Sequence, residues 1–464
     1  MPLSVDPSLQ PLAIISTSYL LFTITDGAIR MIVLQHAYSL NFSALQVAFM
    51  FTLYELAGVV TNLFAGLAGS RWGLRATLLV GLGLQLISFT LLFFWDSSWS
   101  KTMAIAYVTI AQMFAGVAKD LTKLGGKVVT KLVTPEGKEQ KLFKLVSLLT
   151  GMKNSLKGVG YFLGSALVTI SYETALGCMM FLIFCAIPAP LFYLSNDLAK
   201  AKKENSSLKE IFTWENKNLN FLSLARVFLF ASRDFWFEVP LPFYLRSPGG
   251  CGGLGMERVV VGTFLACYII LYGQVQSWTP QLVTDPLKQS PPNKLTEIFW
   301  GSINIFPTFV GCFVLWKSSA FVEHDVGGMT AWLIGIVVSF AVIFAINSSI
   351  HSYLVVKYAS NDKVAVSVGF YYMSNAVGRL FGTLGSGILY TYSGGNEGQF
   401  SGSNGTIGLA VCFAAGTVSS LLAALITVKI DDDQSGFSCG KLVCIKPKAI
   451  VDAGEGEDPN DNNF

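Results

Sequence analysis

Lys119, Lys123, Lys127 and Lys131 stand four residues apart in one apolar stretch, which puts their side chains on one face of a helix. Lys153 and Lys157 repeat the spacing in the next stretch, and Asp26 and Arg30 lie one turn apart in the apolar run Ser18–Val33. Glu55, Asp120, Arg226, Arg233, Asp234, His351 and Arg379 interrupt other apolar runs. A charge at the centre of a membrane helix costs about 2.5–3.5 kcal/mol even on the lenient insertion scale, so it faces a partner or a water-filled path. Nine of these groups are basic (Arg30, Lys119, Lys123, Lys127, Lys153, Lys157, Arg226, Arg233, Arg379) and four acidic (Asp26, Glu55, Asp120, Asp234), a surplus of five cations. If every charge served an internal ion pair that fixes packing, those five would lack partners. A cavity for a multiply charged anion uses them: Arg grips phosphate-like oxygens bidentately, and Lys acts as a mobile point charge.

The acidic groups have two uses, to position a basic group or to carry a coupling proton. Arg30 is expected to pair with Asp26, and Arg233 or a lysine with Asp234 or Asp120. His351 follows Asn347, Ser348 and Ser349 and reads either as a substrate ligand or as a hydrogen-bonded packing residue.

These residues need membrane helices to hold them. The 464-residue chain is 52% hydrophobic and 13% charged, where a soluble domain carries about 25% charged residues. Its apolar residues gather in segments of about 20, enough to cross a bilayer core. A net charge of +3 is too small to suggest nucleic acid as a partner. The first Lys or Arg is Arg30, so the first apolar run lacks a basic leader and reads as a membrane helix and not as a cleaved signal. Eight cysteines lie mostly in apolar segments, where Cys behaves as a small hydrophobe, with Cys439 and Cys444 in the tail.

Twelve spans are expected, near 12–37, 45–69, 76–95, 103–130, 142–170, 174–195, 219–245, 259–283, 297–317, 329–357, 364–392 and 405–429. The polar stretch Asn196–Asn218 divides them six and six. The chain thus reads as an N-terminal half (1–195), a cytoplasmic linker (196–218), a C-terminal half (219–429) and a disordered cytoplasmic tail (430–464). With the N-terminus inside, the inner loops hold twelve Lys and Arg, among them Arg71, Arg75, Lys138, Lys200 and Lys363, against Lys101, Arg246, Arg258 and Lys317 outside. Both termini are then cytoplasmic, and the sequons at Asn41 and Asn404 fall outside.

The halves are related. Met152-Lys-Asn154 with Leu163-Gly164-Ser165 in span five recurs, at constant offset, as Met373-Ser-Asn375 with Leu384-Gly385-Ser386 in span eleven. Parallel six-helix repeats with a central loop resemble the plan of major facilitator transporters. The stretch Gly66–Arg75 resembles that superfamily's signature between helices two and three, with Ser70 in place of the usual Asp. The resemblance implies that spans three, six, nine and twelve face lipid, and their interiors carry no Lys, Arg, Asp or Glu. Gly160 to Gly164 and Gly378 to Gly382 are spacings for close helix packing. The Gly-rich stretch Gly249–Gly255 reads as a flexible loop, and Tyr371 and Tyr372 read as cavity hydroxyls or as packing.

Seven segments, FTITDGAIRM (22–31), LYELAGVVTNLFAG (53–66), AGVAKDLTK (115–123), TGMKNSLKGVGYFLG (150–164), ARVFLFASRDFWF (225–237), FAINSSIHSYL (344–354) and VGFYYMSNAVGRLFGTLGSG (368–387), resemble the ArsJ-type organoarsenical efflux permeases. That family exports 1-arseno-3-phosphoglycerate, formed when glyceraldehyde-3-phosphate dehydrogenase takes arsenate in place of phosphate. The resemblance implies arsenate resistance by alternating-access efflux, a metabolic partnership with that dehydrogenase, and a multi-pass plasma-membrane protein, expected as a monomer. Arg30, Lys119, Lys123, Lys153 and Lys157 are expected at one end of the anion, and Arg226, Arg233, His351 and Arg379 at the other. Asn154 and Asn375 are expected to bond the linker or brace helices. Asp26, Glu55, Asp120 and Asp234 serve coupling or pairing. No catalytic constellation, metal set or cofactor is expected. A carrier of another organic phosphate, or a non-transporting anion receptor, are the competing readings.

Overall fold

In lipid an α-helix satisfies every backbone N–H and C=O within its own segment, so long apolar stretches become helices. The computed structural model describes residues 10–133, 139–195, 216–318, 326–358, 364–395, 404–432, 436–440 and 442–445. Span one is α1 (Gln10–Ser39). The short α2 (Ala44–Met50) leads into α3 (Thr52–Phe93), followed by α4 (Lys101–Val133) and α5 (Glu139–Val168). Span six is α6 (Tyr172–Ala186) and α7 (Pro188–Tyr193), and span seven is α8 (Lys217–Phe237) and α9 (Pro240–Arg246). Both are broken where proline opens the new helix, the position at which its missing N–H does no harm. Span eight is α10 (Arg258–Thr279) with a π-helical turn, Pro280–Thr284; α11 (Lys294–Ile303) and α12 (Ile305–Ser318) make span nine. Then come α13 (Val326–Tyr358), α14 (Val364–Tyr390) and α15 (Gly405–Thr427).

α3 holds two spans. Its backbone stays helical through the stretch Gly66–Arg75 that reads as a loop in sequence. Even so, a Cβ on Gly58 would meet Asp120, and one on Gly81 would meet Thr122, neighbouring positions on α4. A straight helix, rising about 1.5 Å per residue, would hold those glycines about 35 Å apart. The chain therefore turns back between them, and spans two and three lie side by side. The side chains at 65–74, Ser70 and Arg71 included, lie outside the described residues, as do those of Lys127 and Lys131 and most inner-loop lysines.

The result is an all-α membrane protein. Among the described residues, nine helical stretches are apolar and long enough to cross a bilayer by composition alone. Spans five, seven and eleven fall short of that composition, and they are the spans that carry Lys153, Lys157, Arg226, Arg233 and Arg379. Their polar groups are met inside the bundle.

The two halves are built alike. α5 presses on α1 through Gly160, where a Cβ would come 2.1 Å from Ile24 O, and through Gly164, 2.6 Å from Ala28 O. α14 presses on α8 through Gly378, 2.2 Å from Val227 O, and Gly382, 2.6 Å from Asp234 Cβ. Spans five and eleven thus meet spans one and seven through the same device. Gly160→Leu is expected to destabilise the bundle by at least the roughly 1–3 kcal/mol of an overpacked core. A thermal-unfolding midpoint unchanged from the parent protein would contradict so close a contact.

Phe181 and Phe184 on α6, Phe306, Phe309 and Trp316 on α12, and Val418 and Leu425 on α15 are exposed, as are Val80 and Ile87 in the third span. Apolar surface of this extent is what lipid covers. Two stretches differ from the sequence reading. The tail after 430, expected to be disordered, forms an antiparallel hairpin of β1 (Phe437–Cys439) and β2 (Leu442–Ile445). It is held where Gln289 Nε2 donates to Ser438 O at 3.0 Å and Asn293 Nδ2 to Gly436 O at 2.6 Å. Residues 446–464 lie outside the described set. The Gly249–Gly255 stretch is pinned to α15, with Thr406 Oγ1 donating to Gly252 O at 2.8 Å.

Candidate functional site

A cavity of about 430 Å³ enters the bundle, lined by side chains from spans one, two, four, five, seven, eight, ten and eleven. Spans three, six, nine and twelve, the four without interior charge, contribute none. The lining starts at Ile15 and Ser16, in the first turns of α1, and ends at Asp26, Glu55, Tyr161, Glu238 and Arg379. Beyond that floor Leu34, Tyr38, Phe51 and Phe243 are buried, and Leu45 N donates to Thr391 Oγ1 across the halves at 3.2 Å. The cavity is closed at the end away from the α1 N-terminus.

Its ionic groups fall into two sets. The first is the chamber: Lys119 and Lys123 from α4, Lys153 and Lys157 from α5 and Arg226 from α8, with Asp26 and Asp120. Lys123 and Lys157 stand 3.9 Å from Asp120 and Asp26 respectively, at the edge of ion-pair range. Among the described residues, Lys119, Lys153 and Arg226 have no carboxylate within 4 Å. Aromatic faces hold these cations: Lys119 Nζ is 4.0 Å from the Tyr54 ring centre, Lys123 Nζ 4.2 Å from that of Tyr372, and Arg226 Cζ 4.0 Å from that of Phe230. A desolvated cation–π contact contributes on the order of 2 kcal/mol, far less than the cost of an unpaired buried charge. Five cations against two carboxylates leave the chamber formally positive by three.

The second set is a lock at the floor. Arg30 donates to Glu55 Oε1 at 2.7 Å and to Glu238 Oε2 at 2.6 Å. Arg379 also reaches Glu55 Oε1 at 2.7 Å, and stands 3.4 Å from Asp234 and 3.5 Å from Glu238. Arg233 holds Asp234 Oδ1 at 2.6 Å. Three guanidinium groups meet three carboxylates, so this set is formally neutral. Arg30–Glu238 and Arg379–Glu55 join the N-terminal to the C-terminal half.

These contacts revise the sequence reading. Arg30 turns away from Asp26, which instead accepts from Tyr54 Oη at 2.5 Å. Arg30, Arg233 and Arg379 pair with carboxylates of the lock; Arg233 and Arg379 also line the cavity, whereas Arg30 and Asp234 do not. His351 is fully buried behind the cavity wall, its Nε2 3.0 Å from Glu297 Oε1. Asn154 lines the cavity and braces the halves, donating to Gln276 Oε1 at 2.7 Å, while Asn375 Oδ1 in the cavity wall has no partner among the described residues. Tyr372 lines the cavity and Tyr371 packs behind it.

Two functional acids escape sequence reasoning. Glu238 lies within the seventh span, in the apolar run FWFEVPLPF, and a full count of acids in 219–245 would find it. Glu297 opens the ninth span and reads as a boundary residue. With Glu238 included, the described cations exceed acids around the cavity by three and not five. No three His, Cys, Asp or Glu among the described residues are arranged to hold a metal ion. What the arrangement offers is electrostatic: an unpaired, partly dehydrated cationic surface reachable from one end.

The family model described as Major Facilitator Superfamily matches residues 15–383. The structure resembles that of the nucleoside transporter NupG in a point-mutant form, with TM-score 0.63 and 14% identity over 91% of this chain and 100% of that one. It also resembles a bacterial homologue of the iron transporter ferroportin in an outward-facing state with soaked iron, with TM-score 0.58 and 14% identity over 89% and 98%. No curated protein matches the sequence. Identity this low shows a shared fold alone, but a family model that spans most of a chain with twelve spans, two like halves and a central polar cavity shows more: the chain belongs to the Major Facilitator Superfamily.

Proposed function

We propose that the protein is a secondary transporter that exports a small organic polyanion, 1-arseno-3-phosphoglycerate, and so confers arsenate resistance. The observation that carries this reading is the chamber of Lys119, Lys123, Lys153, Lys157 and Arg226, positive by three and without carboxylate partners for three of its members. A surplus of buried cations repels a metal ion and gives a neutral nucleoside nothing to neutralise, whereas a doubly or triply charged anion balances it. The cavity lies within the roughly 300–1,000 Å³ range of small-molecule sites. An arsenate head on the lysine pairs of α4 and α5 and a phosphate at Arg226 would use both halves, with Asn375 Oδ1 free to accept from the hydroxyl between them. The choice of the arsenical over other organic phosphates rests on the ArsJ-type sequence resemblance.

With both termini in the cytoplasm of a plasma-membrane protein, the cavity faces inward and the lock closes the outer side. An inside-negative potential then favours anion exit by about 2.3 kcal/mol per charge per 100 mV. The arsenic content of arsenate-treated cells that also express the dehydrogenase tests the reading. Expression of the protein is expected to lower that content, and Lys153→Ala to restore it. Equal content with and without the protein would refute export. Loss of 3-phosphoglycerate from cells given no arsenate, as fast as loss of arsenic from treated ones, would instead mark a carrier without preference for the arsenical.

A further inference from the structure

Behind the chamber sits a second ionisable pair that does not line the cavity. Glu297 of α11 and His351 of α13 are 2% and 0% exposed, with Nε2 3.0 Å from Oε1. The Asn347 amide, oriented to donate to Glu297 Oε1 and to accept from Gly301 N, fixes the carboxylate, and among the described residues neither His351 nitrogen has an aligned hydrogen-bond partner. α15 faces the pair with Ala424, beside Gly301, and α5 with Ser147, which bonds Ser349 at 2.6 Å. α10 brings Tyr272, whose hydroxyl donates to Ser348 at 3.3 Å, and α14 brings Tyr371, its ring centre 6.4 Å from that of His351. Tyr353 and Tyr358 stand on α13 itself, and Lys357 further along pairs with Asp432 at 3.2 Å. The charged group that faces the pair is Arg226, which bonds Ser348 at 3.3 Å, stacks on Tyr371 at 5.0 Å and also lines the chamber.

We infer that Glu297 and His351 form a proton-binding site linked through Arg226 to the anion chamber, so that an anion binds together with a proton. The inference rests on the proposed anion transport and deepens it. A buried carboxylate beside a neutral imidazole is neutral when the two share one proton and carries one negative charge when they do not; a second proton would place a cation beside Arg226. Arg226 with no anion favours the negative form. A phosphate or arsenate on Arg226 cancels that field, and the neutral, protonated form takes over. By linkage, anion binding draws in a proton and a proton tightens anion binding.

The test is proton uptake by the purified full-length protein in weak buffer with a pH indicator, on addition of 3-phosphoglycerate at about pH 8. There the substrate phosphate, which titrates near 6, exchanges almost no protons itself. The parent protein is expected to take up as much as about one proton per anion bound. Glu297→Gln, and independently His351→Gln, are expected to bind the anion and take up clearly less, the remainder going to the chamber lysines. Binding without uptake by the parent protein, or uptake undiminished in both variants, would overturn the proton site while leaving anion binding in place. No binding at all would overturn both readings together.

Discussion

Purified protein with Lys153→Ala is expected to bind 3-phosphoglycerate about 10–100-fold more weakly than the parent, and to be more stable when empty. A hydrogen bond to a charged partner contributes roughly 1.5–3 kcal/mol, and each 1.4 kcal/mol is a factor of ten in affinity. Lys153 is also one of three chamber cations without a carboxylate within 4 Å among the described residues, and it stands among Lys123 and Lys157. Removing it relieves like-charge repulsion in a partly dry site. Weaker binding and a higher unfolding midpoint should therefore appear in the same variant, a trade-off typical of residues kept for function and not for folding. Lys119→Ala is expected to behave alike, and the double variant to fall short of the product of the two losses because both act on one anion. Titration calorimetry beside a thermal melt in detergent reads both. A variant that binds normally, or that loses binding together with stability, would place these lysines in the scaffold.

Arg379→Ala is expected to act in the opposite sense, with a loss of about 3–5 kcal/mol of stability. Arg379 reaches Glu55, Asp234 and Glu238 within 3.5 Å. Its removal leaves three carboxylates with Arg30 and Arg233 as their cationic partners within 4 Å among the described residues. Glu55→Gln in the Arg379→Ala background should recover part of the loss, since it takes away the carboxylate that Arg379 and Arg30 share at 2.7 Å. The same double variant lacks one of the lock's two bridges between the halves, so its closed end should open more readily to a bulky thiol reagent at a cysteine placed at Tyr38 or Phe243. Full stability in Arg379→Ala, with no rescue by Glu55→Gln, would contradict the lock.

The two variants separate the ionic groups by purpose, and that separation explains what the sequence could and could not reveal. Which spans line the cavity is legible because charge is expensive in lipid. Lys119, Lys153, Arg226 and Arg379 had to face inward, and spans three, six, nine and twelve carry charge only in their end turns. Repeat symmetry is legible too, since Asn154 and Asn375 sit in matching contexts and the glycines near them meet spans one and seven in the same way. Partner choice is not legible. Arg30 and Asp26 are one turn apart and would pair on an isolated helix, but in the bundle the Glu238 carboxylate, 208 residues away, takes Arg30. His351 looks like a cavity ligand until α11 sets Glu297 against it. Glu238 and Glu297 escape notice because each sits beside a helix break or a span start, where a charge is cheap unless tertiary packing buries it. The hairpin at 437–445 is hidden for a different reason: its anchors, Gln289 and Asn293, lie in a loop far away in sequence.

The central claim is that the unpaired cations enclose a path for a small polyanion. Efflux of labelled 3-phosphoglycerate from proteoliposomes tests it most directly, with an inside-negative potassium diffusion potential and labelled sucrose, which the bilayer retains, as the uncharged control. Phosphoglycerate efflux above that of empty vesicles, accelerated by the potential and lost in the Lys119→Ala/Lys153→Ala double variant, is the predicted result. Sucrose leaving as fast as phosphoglycerate, or anion flux no different from protein-free vesicles, would contradict it.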